Sequence, residues 1–196
     1  MPGPVRVGVI GSSGKGDYGH GLDTAFEGVE GATVVAVADD NAAGRDRVAK
    51  KLGVSRAYAD YNRMLKREEL DVVCVAPRWH NERVAMVTAV AEAGCHIYCE
   101  KPFAPDLISA DHMRVACRAA NVKLAMAHQW RAMPPIRQAI QDIIAGRHGR
   151  LLPKMLIACW KFARQAEETA HYLLLDGSVG SMSRAGFCEE NMVVTP

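Results

Sequence analysis

Residues 11–21 read Gly-Ser-Ser-Gly-Lys-Gly-Asp-Tyr-Gly-His-Gly and follow directly on the apolar run Val5 to Ile10. Glycine suits a backbone that turns with positive φ, or one that a bulky phosphate must approach closely. A helix is expected after this turn, and its N-terminus would add N–H donors and a favourable dipole for an anion. Two registers of a dinucleotide fingerprint fit. The literal Gly-x-Gly-x-x-Gly falls on Gly14, Gly16 and Gly19. Counting from the strand end gives Gly11, Ser13 and Gly16, and this register is preferred because the strand–turn junction fixes the first glycine. Amides around residues 11–16, Ser12 included, would then cradle a diphosphate. Asp39 closes the next apolar run, 23 residues after Gly16. An acidic residue about 20 positions on accepts hydrogen bonds from the adenosine ribose of NAD. Asp39 and Asp40 together would repel a 2′-phosphate, so NAD is favoured over NADP, with Arg45 softening the repulsion. The plainer alternatives are a glycine-rich surface loop, and an Asp39 that caps a helix together with Asn41.

Two more polar groups close apolar runs. Ala76-Pro-Arg-Trp-His80 follows one, and Glu100-Lys-Pro102 follows another. The six cysteines are Cys74, Cys95, Cys99, Cys117, Cys159 and Cys188, with no C-x-x-C pair. On a strand, Cys95 and Cys99 share a face about 13 Å apart, at roughly 3.3 Å per residue. That gap is too wide for one zinc ion, and His96 points to the opposite face. Buried, reduced thiols are expected, and no metal site.

The elements that must hold these groups alternate. Strands are expected over Val5 to Ile10, Thr33 to Ala38, Asp71 to Ala76, Cys95 to Cys99 and Val122 to Ala127, with a weaker one near Ser55 to Tyr58. Such short apolar runs suit parallel strands covered on both faces. Helices are expected over Ala42 to Leu52, Asn81 to Ala93 and Asp106 to Ala120. The pattern predicts an α/β fold, a doubly wound parallel Rossmann-type sheet, with ligands at the carboxyl edge of its strands. After Ala127 the rhythm changes. Pro134-Pro135 opens a helix with Ile136, Ile140, Ile143 and Ile144 as its apolar stripe and Gly146 as its stop. Leu151 to Phe162 reads as a strand of a different sheet, and the stretch from about Ala163 as loop. The division expected is a dinucleotide-binding domain over 1–127 and a partial second α+β domain over 128–196.

Composition narrows the classes. The chain has 196 residues with 24 Lys+Arg, 22 Asp+Glu, a formal net charge of +2 and 49% hydrophobic residues. That balance is globular and lacks the basic footprint of a nucleic-acid binder. The N-terminal apolar run is too short for a signal peptide, and no stretch reaches the roughly 18 apolar residues of a membrane span. A cytoplasmic protein is expected.

The ordered combination of Val-Gly-Val-Ile-Gly11, Val-Ala-Val-Ala-Asp39, Ala-Pro-Arg-Trp-His80 and Ala-Gly-Cys-His-Ile-Tyr-Cys-Glu-Lys-Pro-Phe103 resembles the glucose–fructose oxidoreductase and inositol dehydrogenase family (Gfo/Idh/MocA). Arg131 with Pro134, and Gly146-Arg-His-Gly-Arg150, look similar too, so the likeness runs from residue 5 to about 155. The resemblance implies NAD(P)-dependent oxidation or reduction of a small-molecule sugar, polyol or related carbonyl. The apolar face of Leu151 to Phe162, left without cover by a half-built second domain, predicts self-association or partner docking, and a homo-oligomer is expected. The resemblance also implies that Lys101 hydrogen-bonds the reacting oxygen and helps move its proton, since an ammonium there stabilises a developing alkoxide. Glu100 would hold that lysine, and His80 would line the nicotinamide side. Ala76, Pro77, Trp79, Glu100 and Arg131 join the glycine turn, Asp39 and Asp40 as expected cofactor contacts. Two departures stand out. Only about seventy residues follow the fifth strong strand, fewer than the family's second domain normally uses, so a truncated remnant is expected there. His171 and Asp176 come nearest the family's helical Asp/His pair, but five residues is about 140° around a helix and not one face. A non-catalytic dinucleotide-binding module that docks a partner or itself through the incomplete domain is the alternative. A hydrolase built on the seven histidines is a poor fit.

Overall fold

The structure, a computed structural model, describes residues 3–147 and 193–194. Two compact units divide the chain: Met1–Ala127 with Met192–Pro196, and His128–Asn191.

In the first unit six parallel strands form one sheet. They are β1 (Val5–Ile10), β2 (Ala32–Ala38), β3 (Arg56–Tyr58), β4 (Val72–Val75), β5 (His96–Cys99) and β6 (Leu124–Met126), in spatial order β3-β2-β1-β4-β5-β6. A two-residue β7 (Val193–Val194) adds antiparallel to β6. Strand order reverses between β1 and β4, so the chain leaves these neighbouring strands toward opposite sides and opens a crevice at their carboxyl ends. The α/β doubly wound sheet is the one the alternating apolar runs predict.

Period-two alternation sorts the strands onto two cores. Ile10, Ala36, Ala38, Val73, Val75, Ile97 and Cys99 face one side. There they meet α2 (Tyr61–Arg67), α3 (Arg83–Glu92) and α4 (Leu107–Ala119) through Met64, Val87, Val90, Met113 and Cys117. Val7, Val9, Val37 and Cys74 face the other, against Val48 and Ala49 of α1 (Ala42–Leu52) and against Tyr18 and Leu22. Helices α1, α2 and α4 begin where short polar side chains satisfy their first free amides. Asn41 accepts from Gly44 N at 2.9 Å, and Asp106 from Ser109 N at 2.7 Å. The expected starts at Asn81 and Asp106 therefore shift: Asp106 is a cap, and α3 begins at Arg83. Helix α2 escaped the sequence reading because it is only seven residues long.

One expectation fails. No helix follows the glycine turn. Residues 11–31 cross from β1 to β2 through successive tight turns, with bonds such as Thr24 N to Gly21 O and Glu27 N to Thr24 O. Glycine costs a helix about 1 kcal/mol relative to alanine, and Gly14, Gly16, Gly19, Gly21 and Gly28 all sit at positive φ. The sheet face that a helix would cover is filled instead by Tyr18, Leu22 and Phe26, and the Phe26 ring meets the edge of Tyr98 at 6.2 Å and 89°.

Cys74, Cys95, Cys99 and Cys117 are buried free thiols. Burial pushes Cys99 up to about 12 and Cys117 up to about 11, which keeps both protonated and inert. Among the described residues no helix is long and apolar enough to cross a membrane.

In the second unit, a 3-10 turn (Gln129–Ala132) precedes α5 (Pro134–Ile144), whose first turn carries the two prolines. The helix ends at Ala145, before Gly146 at φ 69°. Ile136, Ile140 and Ile143 are half-buried and Ile144 is exposed. Arg131 lies in the 3-10 turn, and its side chain is outside the described residues. So are the expected strand Leu151 to Phe162, Cys159, Cys188, His171 and Asp176.

Candidate functional site: the crevice at the carboxyl edge

The glycine turn closes on itself as it leaves β1. Gly11 N donates to Ala38 O at 2.8 Å, which ties the strand end to β2. Ser12 and Asp17 exchange backbone bonds of 3.1 and 2.9 Å, and Lys15 N donates to Ser12 O at 3.0 Å. The loop then packs over the ends of β4 and β5. Gly16 lies at φ 95°, and a Cβ there would stand 2.5 Å from the backbone nitrogen of Trp79. Gly19 lies at φ 62°, and a Cβ there would stand 2.3 Å from Glu100 Oε2 and 2.7 Å from Ala76 O. Glycine at both places is thus required by backbone conformation and by close approach. All three glycines of the literal register, Gly14, Gly16 and Gly19, lie at positive φ, and the preferred register shares only Gly16 with them. Gly11 needs its missing Cβ for another reason, since the Tyr18 ring lies against it.

Two cavities open beside the turn at the β1/β4 switch point. One of about 360 Å³ is lined by Ser12, Gly14 and Lys15 on one side and by Pro77, Trp79, Asn81, Glu82 and Met86 on the other. Its neighbour, about 560 Å³, is lined by Gly14, Gly16, Asp17, Arg78, Trp79 and His80. Both volumes fall in the range of small-molecule sites. Trp79 is 63% exposed and lines both. Of the predicted residues, the cavities therefore gather Ser12, Gly14, Gly16, Pro77, Trp79 and His80. Lys15, Asp17, Arg78, Asn81, Glu82 and Met86 were missed, being polar or apolar residues of no distinctive spacing.

Asp39 is placed differently from expectation. It is 2% exposed, and both carboxylate oxygens are already engaged. Ser13 N donates to them at 3.1 and 3.2 Å, Ser13 Oγ at 2.7 Å, Tyr18 Oη at 2.8 Å and Asn41 N at 2.9 Å. In this structure Asp39 pins the glycine turn to the end of β2 and offers no free oxygen to a ribose. It does not cap α1; Asn41 does. Burial first, then the bond to Asp39, raises the Tyr18 phenol far above the ordinary tyrosine range. Arg45 donates to the Asp39 backbone oxygen at 2.9 Å, so its guanidinium is committed to the turn. Asp40 is exposed and pairs with Lys15 Nζ at 3.2 Å. Against the modest burial that would raise it, the Lys15 bond and charge and the Ser12 hydroxyl hold the Asp40 carboxyl below its usual range.

The amide cradle expected around residues 11–16 is likewise modified. The amides of Ser12, Ser13, Gly14 and Lys15 all donate within the protein, Gly14 N to Asp17 Oδ1 at 3.0 Å. The residues still fit a dinucleotide by place and chemistry: an open glycine tip at the switch point, the Lys15 cation, and the broad Trp79 face.

A second constellation stands at the end of β5. Glu100 is fully buried, so it does not reach the crevice as a cofactor contact. Its Oε1 accepts from His20 Nδ1 at 2.9 Å and from Lys101 N at 3.1 Å, and its Oε2 accepts from His20 N at 3.0 Å. Lys101 Nζ lies 3.3 Å from His20 Nε2. Glu100 therefore holds Lys101 by its backbone and through His20, not by a direct ion pair. His20 went unnoticed in the sequence because it is 80 residues from Glu100; its placement between two glycines was the one available signal. Among the described residues Lys101 lines neither cavity, and Ala76 is buried beneath Gly19. The Arg83 guanidinium, 1% exposed, donates to Pro77 O and Pro102 O and so fastens the loop after β4 to the loop after β5. Burial lowers its proton affinity, against the pull of the Glu100 charge. Among the described residues, His80 Nδ1 is buried with no hydrogen-bond partner.

A doubly wound sheet with a glycine turn and a crevice at its switch point defines a dinucleotide-binding domain of the Rossmann class. Residues 5–128 match the family described as "Oxidoreductase family, NAD-binding Rossmann fold" (GFO_IDH_MocA). The chain belongs to that family. It is 34% identical over 121 residues to D-apiose dehydrogenase of Paraburkholderia graminis, covering 60% of this chain and 32% of that protein. It is 36% identical over 135 residues to inositol 2-dehydrogenase 1 of Saccharopolyspora erythraea, covering 67% and 38%. The fold is shared with an oxidoreductase from Agrobacterium radiobacter, solved in complex with NAD+, L-tartaric acid and magnesium. That match has a TM-score of 0.66 and 25% identity, and covers 72% of this chain and 40% of the other. The chain thus spans well under half the length of the relatives it matches.

Proposed function

We propose that this chain is the coenzyme-binding part of an NAD-dependent oxidoreductase acting on a C–OH or C=O group of a sugar or polyol. The observation that carries the reading is the Lys101 ammonium, set at the carboxyl edge of β5 beside a buried carboxylate and an imidazole. Family membership supports the coenzyme, and the sugar and polyol dehydrogenases among the relatives support the substrate class.

Bound NAD would supply the hydride acceptor or donor. The protein's part is to bind, orient and move a proton. Ser12, Gly14 and Lys15 offer the polar side of the crevice, with Lys15 the cation for a diphosphate. Pro77 and Trp79 give it an apolar wall for a flat ring. Asp40, at the rim with Asp39 behind it, disfavours a 2′-phosphate, so NAD is the preferred coenzyme. His80 lines the adjoining cavity, where a substrate or nicotinamide would find it. Lys101 Nζ donates to the reacting oxygen in reduction and receives its proton in oxidation.

The test is titration of the purified chain with NAD and with NADP by calorimetry, with the solution mass measured alongside to read the expected homo-oligomer. A panel of sugars and polyols is then followed by NADH absorbance. NAD binding tighter than NADP, and turnover abolished by Lys101→Ala, are the expected results. Failure to bind either dinucleotide would overturn the reading.

A further inference from the structure

We propose that His20 is a positioning residue for Lys101 and the group through which Lys101 exchanges its proton with water. The inference rests on the role given to Lys101 above and deepens it.

Three observations carry it. First, the Glu100 carboxylate is fully buried and grips His20 twice, at the backbone nitrogen (3.0 Å) and at Nδ1 (2.9 Å). An ionised carboxylate only accepts hydrogen bonds, so Nδ1 carries a hydrogen. In the neutral ring Nε2 is then left with its lone pair. Second, that lone pair faces Lys101 Nζ at 3.3 Å, and an ammonium only donates. The direction of the chain is therefore fixed: Lys101 to His20 to Glu100. Third, the buried end is closed and the outer end is open. The His20 side chain is 41% exposed while that of Glu100 is 0% exposed. A proton arriving at Nε2 makes an imidazolium that the buried carboxylate stabilises and that water can reach.

The balance is simple. In alcohol oxidation the C–H bond breaks with its electron pair leaving for the coenzyme, and the O–H proton passes to Lys101 Nζ. For Nζ to take that proton, the Lys101 ammonium has first given one proton to His20 Nε2 and His20 one to solvent, which leaves the amine lone pair free and returns the lysine to its ammonium form after the transfer. Reduction runs the same transfers backward. No further oxidant or reductant enters. Gly19 makes the arrangement possible, since any Cβ there would collide with Glu100 Oε2.

The experiment uses the full chain labelled with ¹⁵N in histidine and lysine side chains. In the wild type, His20 should appear as the Nδ1–H tautomer. In His20→Gln, hydrogen exchange of the Lys101 ammonium with water should slow by about a hundredfold, the low end of general acid–base effects. In Lys101→Met, the Nε2 resonance of His20 should move while Nδ1 stays bound to Glu100. Unchanged exchange in His20→Gln overturns the proposal. If that variant does not fold, an Nε2 resonance unmoved by Lys101→Met overturns it, and a moved one supports it. Where a polyol is turned over, His20→Ala should lower kcat about a hundredfold with little change in KM, and added imidazole should restore it. A merely structural histidine gives no such rescue. If the wild type binds NAD but turns nothing over, the oxidoreductase reading fails, and the exchange measurement still decides the relay.

Discussion

Replacing Asp39 with alanine separates a ribose ligand from a structural anchor. Four groups converge on its carboxylate: Ser13 N, Ser13 Oγ, Tyr18 Oη and Asn41 N, at 2.7–3.2 Å. Hydrogen bonds to a charged group are worth about 1.5–3 kcal/mol each. Their sum overstates the loss, because removing a buried carboxylate also relieves a desolvation cost of several kcal/mol. The Ser13 and Asn41 groups are only partly buried and regain water. The Tyr18 hydroxyl does not, and an orphaned buried donor costs about 1–3 kcal/mol. The net expected loss of stability is about 3 kcal/mol, most of it traceable to Tyr18. Urea unfolding followed by far-ultraviolet circular dichroism reads that loss. A cycle with Tyr18→Phe should return a coupling energy of about 1–2 kcal/mol. A destabilisation under about 1 kcal/mol, together with weakened NAD binding, would refute the anchor role and restore Asp39 as a direct ribose contact.

Tyr18 also predicts a pH dependence. Its phenol is raised in the folded state by burial and by Asp39, so above pH of about 10 the unfolded chain has lost a proton that the folded chain keeps. Stability contributed by this group is complete below that pH and falls as pH rises past it, by up to about 1.4 kcal/mol per unit. Melting curves of wild type and Tyr18→Phe should therefore diverge less with rising alkalinity, and parallel curves would remove Tyr18 as the cause. Gly16→Ala places a Cβ at φ 95° and 2.5 Å from the Trp79 nitrogen, so it should cost more than about 1 kcal/mol in stability. It should also weaken NAD binding measured by calorimetry; an alanine variant as stable and as tight-binding as wild type would remove the close packing of the turn on the loop after β4.

How much was legible follows from what each feature depends on. The six parallel strands, four of the five helices and the doubly wound sheet were readable because burial on both faces writes short apolar runs, and helices write their period between them. Gly16, Trp79 and His80 were readable because they sit next in sequence to strand ends, where this topology opens its crevice. Lys101 and Glu100 were readable as a pair by adjacency and resemblance, but not their geometry. The sequence could not show that the crossover after β1 is a chain of turns, because Tyr18, Leu22 and Phe26 have a helix-like spacing that the glycines overrule. Nor could it show that Asp39 spends its oxygens on Ser13, Tyr18 and Asn41.

Local periodicity and junction residues were thus enough to specify the sheet, its switch point and the neighbourhood of the site. What only the tertiary structure decided is which side chains meet there. His20 reaches Glu100 across 80 residues because the turn after β1 folds back over the end of β5. Such a contact depends on the packing of two loops, and no spacing along the chain encodes it.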